Sequence, residues 1–170
     1  MTSTIRLQDV INEKNLNIPP FTAKLVISEQ PKVYTSAKGG RYARLKMEII
    51  SPEEFTPKGT DYNIGVGGTL AEWMAAIQGN TKFLWDNLFR ALGKPVMTSE
   101  QYDEFVRCAQ ENTLPEWLDL VGDVAAPNEL GAVIQVEKKR ESYNGEEAVH
   151  PVTGEPLYRV QVSVNKLFPR

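Results

Sequence analysis

The sequence predicts a mainly β fold with a helical insertion (β+α), in which five strands form the sheet and helices follow the third strand. Three observations predict this class: apolar and polar residues alternate in the first third, helical periodicity occupies the middle, and alternation returns near the end. The chain has 170 residues, of which 41% are hydrophobic and 24% are charged. That length suits one domain with a sizeable core, and the composition excludes wholesale disorder.

Three strands are predicted in the first third of the chain. Apolar and polar residues alternate over residues 21–28 and again over residues 42–49, and a third, shorter strand fits residues 61–66. Residues 1–17 are polar and only weakly periodic, so we expect a flexible N-terminal arm that either docks late or stays mobile. The remainder, residues 18–170, is expected to form a single domain.

The middle of the chain predicts a helical insertion at about residues 69–121. Thr69 and Glu72 have the spacing of a capping box, which favours the start of a helix. Glycine and proline residues follow the apolar helical faces and mark where helices end. The three predicted helices cover about residues 69–79, 81–92 and 98–114.

Two further strands are predicted over residues 132–137 and 158–165, joined by a long polar connection. Five strands with helices after the third are the order of an oligonucleotide/oligosaccharide-binding (OB) barrel. In that fold the second and third strands form the binding face, together with the loops that join strand one to two and strand four to five. Antiparallel strands in another α+β arrangement are the alternative.

The net charge of −3 conceals two basic segments on either side of an acidic middle. Residues 31–46 contain five basic side chains and no acidic one, whereas residues 47–137 contain five basic and fifteen acidic side chains. Residues 138–170 contain six basic side chains against four acidic ones. Because salt screens charges beyond roughly 8–10 Å, a basic patch on an acidic protein can still bind a polyanion. The two basic segments coincide with the two loops that flank the binding face of an OB barrel.

Tyrosines stand among the cations of both basic segments, and this combination predicts binding of single-stranded nucleic acid. Such a ligand offers phosphates to cations and unstacked bases to flat rings. In the second predicted strand Tyr42, Arg44 and Lys46 share the face opposite the core. A solvated strand face and an ordinary basic hairpin are the structural alternatives. The candidate binding residues are Tyr34, Lys38, Arg41, Tyr42, Arg44, Lys46, Tyr62, Lys138, Lys139, Arg140, Tyr143 and Arg159.

The composition offers little for catalysis or for a metal site. One histidine and one cysteine cannot form a Cys/His zinc site. No group of acidic residues joins a Lys or His at a spacing typical of a catalytic site, so we expect no enzymatic activity, no metal and no cofactor, with a nuclease as the enzyme alternative. No apolar stretch approaches roughly 18 residues and no secretory signal opens the chain, so we expect a cytoplasmic protein without membrane association.

Four segments together resemble bacteriophage single-stranded DNA-binding proteins; they read YTSAKGGRYARLKMEII, TKFLWDNLFRALG, ELGAVIQVEKKRESYNG and LYRVQVSVNKLF. The resemblance covers about residues 20–168 and is one of layout and residue character. It implies an OB barrel with extra helices between strands three and four. It also implies sequence-independent binding of single-stranded DNA in phage replication, recombination or repair, in the host cell cytoplasm. The matching positions are Tyr34, Lys38, Arg41, Tyr42, Arg44 and Lys46, with Lys138, Lys139, Arg140 and Tyr143 beside them.

Many proteins of that family end in an acidic tail that recruits partners, and this chain departs from that pattern because it ends in NKLFPR. Recruitment through a tail is therefore not expected. The acidic helical insertion is the alternative place for a replication or recombination protein to bind. In the competing hypothesis the whole domain is an OB-fold interaction module that recruits such a partner and binds no nucleic acid. Self-association into a homo-oligomer is left open.

Overall fold

The fold is mainly β, with a closed five-stranded barrel and two helices in the described part of the chain, and it confirms the predicted OB-like class. The computed structural model describes residues 4–7, 18–58, 61–121, 129–140, 142–143, 145–147, 149, 151–154 and 158–169; for 138–140, 142–143 and 158–159 it describes only the backbone. The strands are β1 Thr4–Arg6, β2 Phe21–Ile27, β3 Lys32–Thr35, β4 Arg41–Ser51, β5 Glu54–Phe55, β6 Asn63–Gly65, β7 Leu70–Ala76, β8 Glu129–Arg140, β9 Ser142–Tyr143, β10 Glu146–Glu147 and β11 Tyr158–Phe168. The helices are α1 Lys82–Ala91 and α2 Ser99–Gln110.

The barrel consists of β2, β4, β7, β8 and β11. Strand β2 pairs with β8, β8 with β11, β11 with β7 and β7 with β4, and the antiparallel pairing of β4 with β2 closes the ring. Alternate residues of each strand point inward, as in any small barrel whose interior is filled by side chains. Leu25, Leu45 and Ile134 are fully buried there. The alternation read from the sequence therefore locates four of the five barrel strands correctly.

The predicted first helix is wrong, because residues 70–76 form the strand β7. Leu70 and Met74 have helical spacing, but both are exposed, at 52% and 54%. The residues that point into the barrel are Ala71, Trp73 and Ala75. Two of these three are alanines, so the period of two carries little hydrophobic signal. Seven residue pairs with β4 hold the segment as a strand, since tertiary pairing overrides local propensity.

The strand predicted over residues 61–66 is shorter, and it lies outside the barrel. As β6 it belongs to a small sheet in which it pairs parallel with β1 and antiparallel with β5. Part of the N-terminal arm is therefore docked, and Leu7 beside it is buried at 4% exposure. Residues 1–3 and 8–17 of the predicted arm lie outside the described residues.

The two helices agree with the second and third predicted helices, so the helical insertion begins after β7 and not at residue 69. Helix α2 begins with a capping box in which the Thr98 hydroxyl accepts from the backbone N–H of Gln101 at 3.1 Å, and the Gln101 side chain accepts from the Thr98 N–H at 2.9 Å. Neither helix has the length and the apolar run that crossing a bilayer requires.

Trp85 of α1 joins the helical insertion to the barrel. Its indole meets Trp73 of β7 edge-on at 5.0 Å between ring centroids and Phe105 of α2 at 4.7 Å. Its Nε1–H donates to the backbone carbonyl of Ala76 at 3.1 Å. Trp85 is fully buried, so one side chain packs both helices onto the third barrel strand.

The connection between the first two barrel strands contains a strand that the sequence did not predict. Strand β3 pairs with the first residues of β4 and places Tyr34 opposite Tyr42. A tight turn closes this hairpin: the Ser36 N–H donates to the Gly40 carbonyl at 2.7 Å, and Gly39 has a φ of 87°, which glycine adopts without strain. The first basic segment is thereby held as an ordered two-stranded extension of the sheet.

Replacement of Trp85 by alanine should lower the free energy of unfolding by about 3–5 kcal/mol, because it opens a cavity between the rings of Trp73 and Phe105. Urea denaturation followed by circular dichroism measures this loss. Phe83 of the same helix is 59% exposed, so Phe83→Ala is the matched control and should stay within about 0.5 kcal/mol of the parent. Similar losses in both variants would contradict the packing described here.

Candidate nucleic-acid interface

The outward side chains of β3, β4 and β7 form one continuous surface, which we call the outer face. The inward residues of β4 are buried, so Tyr42, Arg44 and Lys46 point away from the barrel. The register places Lys32 opposite Arg44 on one side, and Ala76, Met74 and Glu72 opposite Tyr42, Arg44 and Lys46 on the other. The predicted face of the second barrel strand is thus continued by one strand on each side.

A stacked pair of tyrosines lies on the outer face. The rings of Tyr34 and Tyr42 are 5.7 Å apart between centroids and are inclined by 25°. Tyr34 is 37% exposed, whereas Tyr42 is partly covered. Cross-strand aromatic pairs of this kind stabilise the sheet on which they sit. Since the rings lie outside the barrel, they also present aromatic surface to solvent.

Arg44 lies between an aromatic ring and a carboxylate. Its guanidinium carbon lies 5.5 Å from the centroid of Tyr34, and its Nη2 donates to both carboxylate oxygens of Glu72 at 2.6 Å. The hydrogen bond to Glu72 is the main reason why the pKa of Arg44 is raised above its usual value. The side chains of Arg44 and Glu72 remain 37% and 26% exposed. Arg44 therefore reaches the surface with its charge already balanced.

A small cavity of about 160 Å³ opens beside this ion pair. It lies where β4 stops pairing with β2 and starts pairing with β3. Ile27 is the last residue of β2 to pair with β4, and Lys32 is the first residue of β3 to do so. The intervening residues leave the sheet and form one wall of the cavity. Its lining residues are Glu29, Gln30, Lys32, Tyr34, Arg44, Lys46 and Glu72.

Arg41 is directed to α2 and not to the outer face. Its Nε donates to the carbonyl of Ala109 at 3.2 Å and its Nη2 to that of Gln110 at 3.4 Å. Both carbonyls lie at the C-terminal end of the helix, where the helix dipole attracts cations. A third bond joins Nη1 to the Gly39 carbonyl at 3.3 Å. Arg41 thus fixes the β3–β4 hairpin to the helical insertion.

Two other candidates are not brought to the tyrosine pair. Lys38 is exposed in the turn of the β3–β4 hairpin. Tyr62 immediately precedes β6 of the small sheet and is half-buried against the core, so it is not part of the sheet that carries Tyr34 and Tyr42.

The second basic segment lies at the paired ends of β8 and β11, towards the opposite end of β7 from the tyrosines. Ser163 of β11 pairs with Glu72. Val160, three residues before Ser163 on β11, pairs with Lys138. Tyr42 is opposite Ala76, four residues beyond Glu72 in the other direction. At about 3.3 Å per residue the two regions are roughly 23 Å apart along the strands. The side chains of Lys138, Lys139, Arg140, Tyr143 and Arg159 lie outside the described part of the structure.

Two residues of the outer face are absent from the candidates named on the sequence alone. The sequence predicts Glu72 as part of a helix cap, but its pairing with Arg44 depends on residues 70–76 forming a strand. Lys32 belongs to the basic segment, but only the register of β3 places it on the same face as Arg44. Among the described residues no group of three His, Cys, Asp or Glu side chains is placed to hold a metal ion.

Comparisons with known proteins assign no family to this chain. No family model matches the sequence, and no curated protein matches it. The functional interpretation therefore depends on the geometry and the chemistry of the outer face.

Arg41→Ala should lower the free energy of unfolding by about 1–3 kcal/mol, because it removes charged hydrogen bonds to the end of α2. The urea midpoint of the variant measures the loss. Lys38 belongs to the same hairpin but is fully solvated, so Lys38→Ala should leave the midpoint unchanged. If Arg41→Ala unfolds at the same urea concentration as the parent, the assigned role of Arg41 is incorrect.

Proposed function

We propose that this protein binds single-stranded DNA without sequence preference and acts, without enzymatic activity, in DNA replication, recombination or repair. The observation that carries the proposal is the stacked pair Tyr34 and Tyr42 on the outward face of the barrel, beside Arg44 and Lys46. The resemblance to bacteriophage single-stranded DNA-binding proteins supports the choice of DNA, the phage setting and the host cytoplasm.

The tyrosine rings supply the part of the binding energy that does not depend on charge. Every base has a π-face, so stacking on a tyrosine tolerates any sequence and contributes about 1–3 kcal/mol per base. In a duplex each base face is covered by its neighbours, and only the groove edges remain accessible. A platform of rings therefore favours single strands over duplexes.

The cations supply the part of the binding energy that depends on salt concentration. Lys32, Lys38 and Lys46 are exposed and have no hydrogen bond or ion pair to any residue that the structure describes. A phosphate that meets such a lysine releases condensed counterions, which makes affinity fall as salt rises. Because salt screens charges beyond roughly 8–10 Å, acidic side chains farther than that from these lysines contribute little to the potential that a phosphate meets.

Tyr42→Ala should weaken binding of oligo-dT by about 1–3 kcal/mol, because one stacking surface is lost. Intrinsic fluorescence titration with oligo-dT, oligo-rU and duplex DNA at two salt concentrations measures the affinities. Tyr42→Phe keeps the ring and is the matched control, so it should bind as the parent does.

Equal affinities of the Tyr42→Ala variant and the parent would exclude Tyr42 from the binding site. If the parent itself binds no oligonucleotide in low salt, the proposal fails and the interaction-module hypothesis is favoured.

A further inference from the structure

We infer that the cavity between β2 and β3 is a subsite for a backbone phosphate, held by Lys32 and Lys46, and that Glu72 keeps Arg44 out of contact with phosphate. The inference rests on the proposed function and specifies where one phosphate of the strand lies. It adds Lys32 and Glu72 to the binding surface. It also changes the role of Arg44 from a phosphate ligand to a flat surface beside Tyr34.

The wall of the cavity is held in place by contacts with the segment that follows α2. The Gln30 side chain donates through Nε2 to the Asp119 carboxylate at 2.8 Å and accepts at Oε1 from the Leu120 N–H at 3.2 Å. Pro31 is buried next to it. With both ends of its amide engaged, Gln30 fixes the path of the chain between β2 and β3. The site is therefore preformed and does not depend on a mobile loop.

The charges that line the cavity leave the two lysines available. Of its three cations only Arg44 has a carboxylate partner, at 2.6 Å, while Lys32 and Lys46 are exposed and unpaired among the described residues. Once Arg44 and Glu72 balance each other, two lysines face the single carboxylate of Glu29, which is exposed. The remaining charge is positive by one, which suits one phosphodiester. A lysine ammonium is a point charge that binds phosphate without a fixed orientation.

The Arg44–Glu72 pair opposes a phosphate at Arg44. Both oxygens of Glu72 lie against the same nitrogen, so a phosphate that approached Arg44 would have to displace the carboxylate or share the guanidinium with it. Two anions on one cation repel each other. The guanidinium carbon instead lies over the Tyr34 ring, 5.5 Å from its centroid, and the group extends the aromatic surface, since guanidinium groups stack on aromatic rings.

The salt dependence of oligo-dT binding separates these roles. For single strands the slope of log K against log[salt] changes by about 0.7 for each phosphate contact. Lys32→Gln and Lys46→Gln should each flatten the slope by about 0.7, and Arg44→Gln should leave it nearly unchanged. Glu72→Gln should steepen the slope by about 0.7, because Arg44 becomes free to meet a phosphate.

Lys24→Gln is the matched control, and its slope should equal that of the parent. Lys24 is an exposed lysine on β2 that pairs with Ser51, five residues and roughly 16 Å along β4 from Lys46. Urea midpoints of all variants confirm that each is folded, and the lysine variants change only exposed side chains. An Arg44→Gln slope as flat as that of the lysine variants would overturn the inference. Unchanged slopes in Lys32→Gln and Lys46→Gln would also overturn it, while leaving the proposed function intact as long as the parent binds oligo-dT.

Discussion

The antiparallel pairing of β4 with β7 is the constraint on which both the barrel and the outer face depend. On the inner side it places Leu45 against Trp73, and through Trp73 it meets the indole of Trp85 and the helical insertion. On the outer side the same register sets Lys46 opposite Glu72, two residues along β4 from Arg44. Core packing and the charge pattern of the surface are therefore two consequences of one set of backbone hydrogen bonds.

How far the sequence predicts the fold depends on which side chains fill the barrel. In β4 the inward residues are large and apolar and the outward ones are polar, so a period of two is evident and the strand is predicted correctly. In β7 the large apolar residues Leu70 and Met74 are exposed, while the small residues Ala71 and Ala75 point inward. A local pattern cannot distinguish an apolar residue on the surface from one in the core. Only pairing with a strand more than twenty residues away decides it.

The candidate site likewise contains residues that the sequence predicts and interaction partners that it does not. The tyrosines and lysines of residues 31–46 follow from composition and strand parity, because their neighbours lie within one hairpin. The partners of Arg41 and Arg44 do not, since Ala109 and Glu72 are distant in sequence. Arginine is the residue most readily engaged by carboxylates and helix carbonyls, so a count of basic residues overstates the charge available to a ligand. Here both arginines of the segment are engaged and its lysines remain open.

Because the lysines are open and the arginines are engaged, a chain with a net charge of −3 can hold a polyanion in the proposed complex. Salt screens charges beyond roughly 8–10 Å, so acidic side chains far from the outer face contribute little, and Glu72, which lies on that face, is already paired with Arg44. Stacking on the tyrosines, and on a guanidinium already neutralised by Glu72, is independent of salt to first order. The two contributions are carried by different residues on neighbouring strands. The affinity in high salt then measures stacking on the rings, and the increase in affinity in low salt measures the lysine–phosphate contacts.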